Sequence, residues 1–308
     1  MYQGDRTLAA ETARTESAPL CLIHDAPSSP LLLAVAATAA TLLAAVAPRS
    51  DGQSFDDNGP PAAASPSAHL DVPLAAAFEV TVAQRLRPPS EAIERYARLL
   101  DKSLADAGVR IEASHFVVLV DRSPQVQALL LFWGRGQAWQ LVGASPVSTG
   151  QPGRFDHFVT PTGVYGHSLD NMDFRALGTK NELGIRGYGR KGIRVFDFGW
   201  VAAPKGWGDH AVIEMRLQMH ATDPDHLEAR LGTAQSKGCI RIPASLNVFL
   251  DRFAVLDEDY EQGLSEGRRL WVLRGDRSQT PWSGRFLVVV DSLSGERPAW
   301  SPQPTGMR

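Results

Sequence analysis

Residues Ala234 to Pro243 read AQSKGCIRIP. One of only two cysteines in the chain follows a glycine here, with Lys237 shortly before it and Arg241 shortly after. Fixed cations favour the ionised form of a thiol, and a glycine lets the backbone turn tightly around it. Cys239 therefore reads as a reactive thiol, set against the alternative of a buried, inert one. The compartment decides between them, because an exported chain with a single thiol cannot close an internal disulfide.

Upstream, Ala211 to His220 reads AVIEMRLQMH. Ile213, Met215, Leu217 and Met219 alternate onto one face of a strand, which puts Glu214, Arg216, Gln218 and His220 on the other. His220 ends that strand on its polar side, nineteen residues before Cys239. A loop of that length can fold the thiol back onto the strand end, where an imidazole can accept its proton.

The compartment is read at the N-terminal end. Leu31 to Ala47, LLLAVAATAATLLAAVA, is seventeen residues without a charge, and reads as an export signal or an uncleaved membrane anchor. Pro48 to Pro73, rich in Pro, Ala, Ser and Asp, reads as a tether. Cys21 precedes the apolar run, which leaves Cys239 as the exported thiol. A formal net charge of -3, with no long basic cluster, excludes nucleic acid as a partner.

Beyond the tether, Ser90 is placed to cap a helix whose apolar positions Ile93, Tyr96, Leu100 and Leu104 recur at helical spacing, with Gly108 as its stop. From Ser114 the pattern turns to strands: HFVVLVD, VQALLLFW, AWQLVGASPV, then IRVFDFGWV, AVIEMRLQMH, LWVLRG and RFLVVVD. This density of short strands with few helices predicts a mostly β fold, a β-sandwich or mixed sheet with a short helical N-terminal part.

The segment MHATDPDHLEARLGTAQSKGCIRIP, from Met219, resembles the active-site signature of the L,D-transpeptidases of the YkuD type: a histidine, some fifteen residues, then Ser/Thr-His-Gly-Cys, an apolar residue and Arg or Asn. Ser236, Gly238, Cys239 and Arg241 match by position, and His220 falls at the right distance. PVSTG at Pro146 to Gly150 and TPTGVY at Thr160 to Tyr165 look like that family's strand and turn leading into the site. Lys237 stands where the family usually has histidine. The resemblance covers roughly His115 to Leu250 and implies a catalytic domain over 113–255; with the segments read above, the chain divides further into an N-terminal region with signal or anchor over 1–48, a disordered linker over 49–73, a helical segment over 74–112, and a C-terminal extension over 256–308 whose strands pack on the catalytic domain.

What the resemblance implies is acyl transfer on peptidoglycan peptide stems in the periplasm or cell envelope, with no cofactor. Cys239 is the nucleophile and His220 the base; the N–H groups of Lys237, Gly238 and Cys239 converge on the oxyanion, Arg241 clamps a carboxylate, and Ser236 orients the histidine or the turn. Lys237 adds a charge beside the sulfur. The acceptor is an amine on a neighbouring stem or water, the latter making a carboxypeptidase; a non-catalytic wall-binding module of the same fold is a further alternative. Two other chemistries fit poorly. His220, His226, Cys239, Asp223 and Asp225 match no compact zinc pattern, and GYGRKG at Gly187 to Gly192 lacks the helix and Lys-Ser/Thr end of a phosphate cradle. That segment reads as a turn, with Arg186, Arg190 and Lys191 near an acidic cleft rim or the substrate's carboxylates.

Overall fold

The computed structural model describes residues 72–303, which fall within one compact unit. The Leu31 to Ala47 run, Cys21 and the linker up to residue 71 lie outside the described residues. Among the described residues, no helix is long and apolar enough to cross a membrane.

The described residues build two sheets and four α-helices. One sheet contains β1 (His115–Asp121), β2 (Ala128–Arg135), β3 (Ala138–Pro146), β4 (Gly163–Gly166) and β9 (Phe286–Val290), in the order β3-β2-β1-β9-β4. The other contains β5 (Phe174–Arg175), β6 (Arg194–Pro204), β7 (Val212–Ala221) and β8 (Ile240–Ile242), in that order. Pairing is antiparallel except for β1 with β9 and β7 with β8. The helices are α1 (Val72–Thr81), α2 (Ser90–Asp106), α3 (Ala244–Arg252) and α4 (Glu258–Ser265).

The unbroken apolar runs in β1 and β2 follow from burial on both faces. Val118, Val120, Leu129, Leu131 and Trp133 face the space between the sheets, where they join Phe196, Met215, Leu217, Met219, Ile240 and Ile242, with Phe78 of α1 and Phe249 of α3 at its side. Val117, Leu119, Leu130, Phe132, Val288 and Val290 face outward and are covered by Tyr96, Leu100 and Leu104 of α2. The helical spacing read in α2 is thus a packing stripe, and Gly108 ends that helix at φ +67.

Three expectations change. Ser90 does not cap α2: Pro89, with φ -68 and ψ 160, is the capping residue and makes no side-chain cap, so Ser90 is the first helical residue. LWVLRG, at Leu270 to Gly275, is a series of turns. Its alternation reflects Leu270 and Val272 packing under Tyr260 while Trp271 is exposed, and the Val272 carbonyl accepts from Arg175 Nε at 2.8 Å in place of a strand partner. The 256–308 segment supplies β9, which lies between β1 and β4 inside the sheet.

Candidate active site

β7 and β8 run parallel with Met219 opposite Ile240, His220 opposite Arg241 and Ala221 opposite Ile242. Met219, Ile240 and Ile242 point into the core between the sheets. Registered partners share a face and neighbours along a strand alternate, so His220 and Arg241 share the opposite face, and Cys239 lies in the bend immediately before β8. The connection begins at Asp223, whose carboxylate accepts the N–H groups of Asp225 at 2.8 Å, His226 at 3.0 Å and Arg186 at 2.8 Å. Cys239 is 5% and His220 4% exposed.

Three segments clamp the cysteine turn. Ser148 and Arg241 exchange backbone hydrogen bonds at 2.9 Å in both directions, and the Ser236 N–H donates to Thr149 O at 2.9 Å. Thr149 is fixed from behind by Gln127, whose Oε1 accepts its N–H at 2.9 Å. Thr160 Oγ1 donates to Gly238 O at 2.7 Å and accepts the Gly150 N–H at 2.8 Å. The PVSTG and TPTGVY motifs are therefore the walls of the turn. Gly238 has φ +125, and a Cβ there would stand 2.8 Å from Met215 Sδ and 3.0 Å from Phe158 Cβ, so only glycine fits. Ser236 Oγ accepts the Gly238 N–H at 3.1 Å and donates to Cys239 O. Ser236 thus shapes the turn, and it is Ser236 that holds the Gly238 N–H expected at the oxyanion.

His220 Nδ1 lies 2.7 Å from the Ala221 carbonyl. A carbonyl only accepts, so Nδ1 carries the proton of the neutral ring and Nε2 is the basic nitrogen. Burial pushes the His220 pKa down to about 4, the nearby Arg241 charge adds to that, and the Ala221 hydrogen bond opposes it. The ring is therefore neutral at pH 7, ready to accept a proton. Tyr188 packs edge-on against it, centroids 4.7 Å apart, and donates its hydroxyl to Gln218 Oε1 at 3.0 Å. Cys239 Sγ lies 3.9 Å from the Arg216 carbonyl.

Two further expectations shift. Lys237 Nζ is paired with the Asp156 carboxylate, so its charge is offset before it reaches the sulfur. Arg241 directs Nη1 to the Gln235 carbonyl at 3.4 Å, on the histidine side of the site. Arg186 bridges Asp223 and Asp225, and Arg190 stands 3.7 Å from Asp225, so the cations of the glycine-rich segment hold the loop after β7. Asp156 and Tyr188 escape a reading of the sequence because each reaches the site from a separate segment. Arg216 and Gln218 carried a signal: both alternate onto the His220 face of β7.

No protein-family model matches the chain, and no curated protein matches it. Solved structures do match. Bd1075 of Bdellovibrio bacteriovorus is 18% identical over 57% of this chain and 50% of its own, with a TM-score of 0.26. The helical cell shape determining protein Pgp2 of Campylobacter jejuni is 14% identical over 65% of this chain and 57% of its own, TM-score 0.29. A fused Zn-dependent amidase/peptidase/peptidoglycan-binding domain-containing protein of Clostridium acetobutylicum is 12% identical over 68% of this chain and 66% of its own, TM-score 0.26. The chain thus spans about half to two thirds of these proteins, two of which are cell-wall or cell-shape proteins by name.

Proposed function

We propose that the chain is a peptidoglycan L,D-transpeptidase of the YkuD type with Cys239 as nucleophile. The observation that carries this reading is the parallel β7–β8 register, which sets His220 and Arg241 on one face directly after Cys239, whose Sγ lies against the Arg216 carbonyl of β7, with a neutral His220 whose Nε2 is the acceptor. His220 Nε2 takes the thiol proton as Sγ forms a bond to the carbonyl carbon of the third residue of a tetrapeptide stem. The tetrahedral intermediate collapses, the bond to the terminal D-alanine nitrogen breaks, and the imidazolium returns its proton to that amine. An amine of a second stem then attacks the thioester, gives its proton to His220 and releases the thiol as a new peptide bond forms. Water in place of the amine gives hydrolysis by the same steps.

The test is the intact mass of the protein after incubation with purified tetrapeptide stems. An adduct of the stem minus D-alanine is expected, located to Cys239 by peptide mapping and missing from Cys239→Ala. Cross-linked product with added stem amine marks a transpeptidase; trimmed stem alone marks a carboxypeptidase. A folded protein that gives neither adduct nor product defeats the enzymatic reading in favour of a wall-binding module.

A further inference from the structure

The His220 face of β7 carries a built feature that this chemistry does not use. β6 and β7 pair with Asp197 opposite Gln218 and Trp200 opposite Arg216, and the register shifts between Asp197 and Trp200, where Gly199 has φ +81. At that irregularity Asp197 is 1% exposed and its carboxylate accepts three hydrogen bonds. Its Oδ1 accepts the Gly199 N–H at 2.9 Å, and its Oδ2 accepts from Arg216 Nε at 2.8 Å and from Gln218 Nε2 at 2.9 Å. The Arg216 guanidinium also lies 5.8 Å from the Trp200 ring centroid. Its side chain is 32% exposed, so a guanidinium seated on a buried carboxylate and an indole meets solvent. The same residue's carbonyl is the group 3.9 Å from Cys239 Sγ.

We infer that Arg216, positioned by Asp197 and Trp200, recognises the C-terminal carboxylate of the donor peptide, which restricts the site to the last peptide bond of a stem. The inference rests on Cys239 being the nucleophile. One residue spans about 3.8 Å, so the carboxylate just beyond the scissile bond stands within a residue's length of the carbonyl under attack. The Arg216 backbone carbonyl lies 3.9 Å from the sulfur, so its side chain leaves β7 at a residue that adjoins the nucleophile, on the face that His220 shares, whereas Arg241 stands beside the base and leans on Gln235. A guanidinium already fixed by a buried carboxylate loses little freedom on taking a second one, and its planar fork suits carboxylate geometry. Asp197 is a positioning residue, since it touches the arginine and not the substrate.

The experiment compares a tetrapeptide stem with its C-terminal carboxamide, in turnover by the intact chain and in calorimetric binding to Cys239→Ala. The acid is expected to be preferred by about 10- to 100-fold, the range of a charge-assisted hydrogen bond. Arg216→Gln should reduce that preference to within about threefold, chiefly through KM; Arg216→Lys should keep part of it, and Asp197→Asn should weaken it while leaving circular dichroism unchanged. Equal binding of the two peptides to Cys239→Ala, binding of neither, or an undiminished preference in Arg216→Gln overturns the inference. Turnover of both peptides alike would do so while leaving the catalytic reading intact. Acid-selective binding without turnover of either would support the subsite and remove the transpeptidase.

Discussion

His220 and His167 are both buried, and each sets Nδ1 2.7 Å from a backbone carbonyl, Ala221 for one and Leu256 for the other. They differ at the second nitrogen. His167 Nε2 lies 2.8 Å from Asp173 Oδ1, so both ring nitrogens face acceptors and both must donate. Burial alone would push the His167 pKa down, but the Asp173 carboxylate outweighs it and the net shift is upward. Among the described residues no carboxylate pairs with His220, and Arg241 reinforces burial, so its pKa falls. One ring is a fixed cation in a lattice of charge; the other is a neutral base. The comparison shows that burial sets the cost of charging a histidine, while the neighbour of Nε2 decides whether that cost is met.

The lattice around His167 is structural. Asp173 also receives Arg194 Nε at 2.6 Å, and Arg194 Nη1 reaches Asp257 at 2.9 Å, which ties β6 to the start of α4. The Tyr260 ring stacks on His167 at 5.0 Å. The largest expected effect follows: His167→Ala leaves a cavity beneath Tyr260 and takes from Asp173 one of its two cationic partners, and should cost about 3–5 kcal/mol in urea unfolding at pH 6. A loss below about 1 kcal/mol would mean that the lattice closes over the gap and that the contrast between the two rings is not one of structure against chemistry.

At His220 the balance should reverse. His220→Gln is expected to lower the acylation rate by roughly 100-fold or more, as for a lost general base, while unfolding free energy at pH 7 changes by less than about 1 kcal/mol. A rate within threefold of the parent chain would make His220 a packing residue, and a large stability loss would place it with His167.

The pH dependence sharpens the same contrast, because the two shifts have opposite signs. The His220 pKa is about 4 folded against an ordinary 6.5, so between those values the unfolded chain binds the extra proton and stability falls as pH falls. Fully developed below pH 4, this amounts to about 3 kcal/mol, which His220→Gln should remove. His167, shifted upward, stabilises fully below 6.5 and loses that contribution as pH rises through its folded pKa. The deficit of His167→Gln should therefore be widest below pH 6.5 and narrow at alkaline pH, while the relative gain of His220→Gln grows from pH 6.5 to 4. Acylation should decline on the acid side near pH 4, with no inflection at 6.5. Parallel pH profiles for the two variants would refute the assignment.

Much of this was legible in the sequence wherever the signal is local. Ser236, Gly238, Cys239 and Arg241 lie within six residues, and their types at that spacing mark a turn around a thiol before any fold is known. His220 was legible because the period of two in β7 marks its face. β1 and β2 were legible from apolar runs that only a doubly covered sheet explains. What could not be read is tertiary. Asp156, Tyr188 and Asp197 carry no local signal in sequence, and only the fold pairs them with β7 or the cysteine turn. Leu270 to Gly275 imitates a strand because a satellite cluster buries alternate residues without offering a ladder. The site of β9 is fixed by its parallel pairing with β1, a contact between chain segments far apart in sequence.

Lys237 carries the smallest expected effect and the finest version of the comparison. It stands beside Cys239, yet its ammonium pairs with Asp156, so it resembles Arg194 in its lattice more than a charge aimed at a sulfur. A close pair of opposite charges has little net field at a third site, and removing one member exposes the other. Lys237→Gln should therefore leave Asp156 unopposed and move the alkylation midpoint of Cys239 upward by ~0.3–0.5 pH unit, since the pair is about one-third exposed and screened. Asp156→Asn should move it downward by a similar amount, and the double variant should return to within ~0.1 unit of the parent chain. Iodoacetamide is the probe, because a neutral reagent reports thiolate population without being steered by the charges under study. If the double variant instead follows Lys237→Gln, the ammonium acts on the sulfur directly and Asp156 is incidental. If none of the three departs from the parent, the pair lies outside the electrostatics of the thiol, and the turn set by Gly238 together with the neutral ring of His220 governs its ionisation.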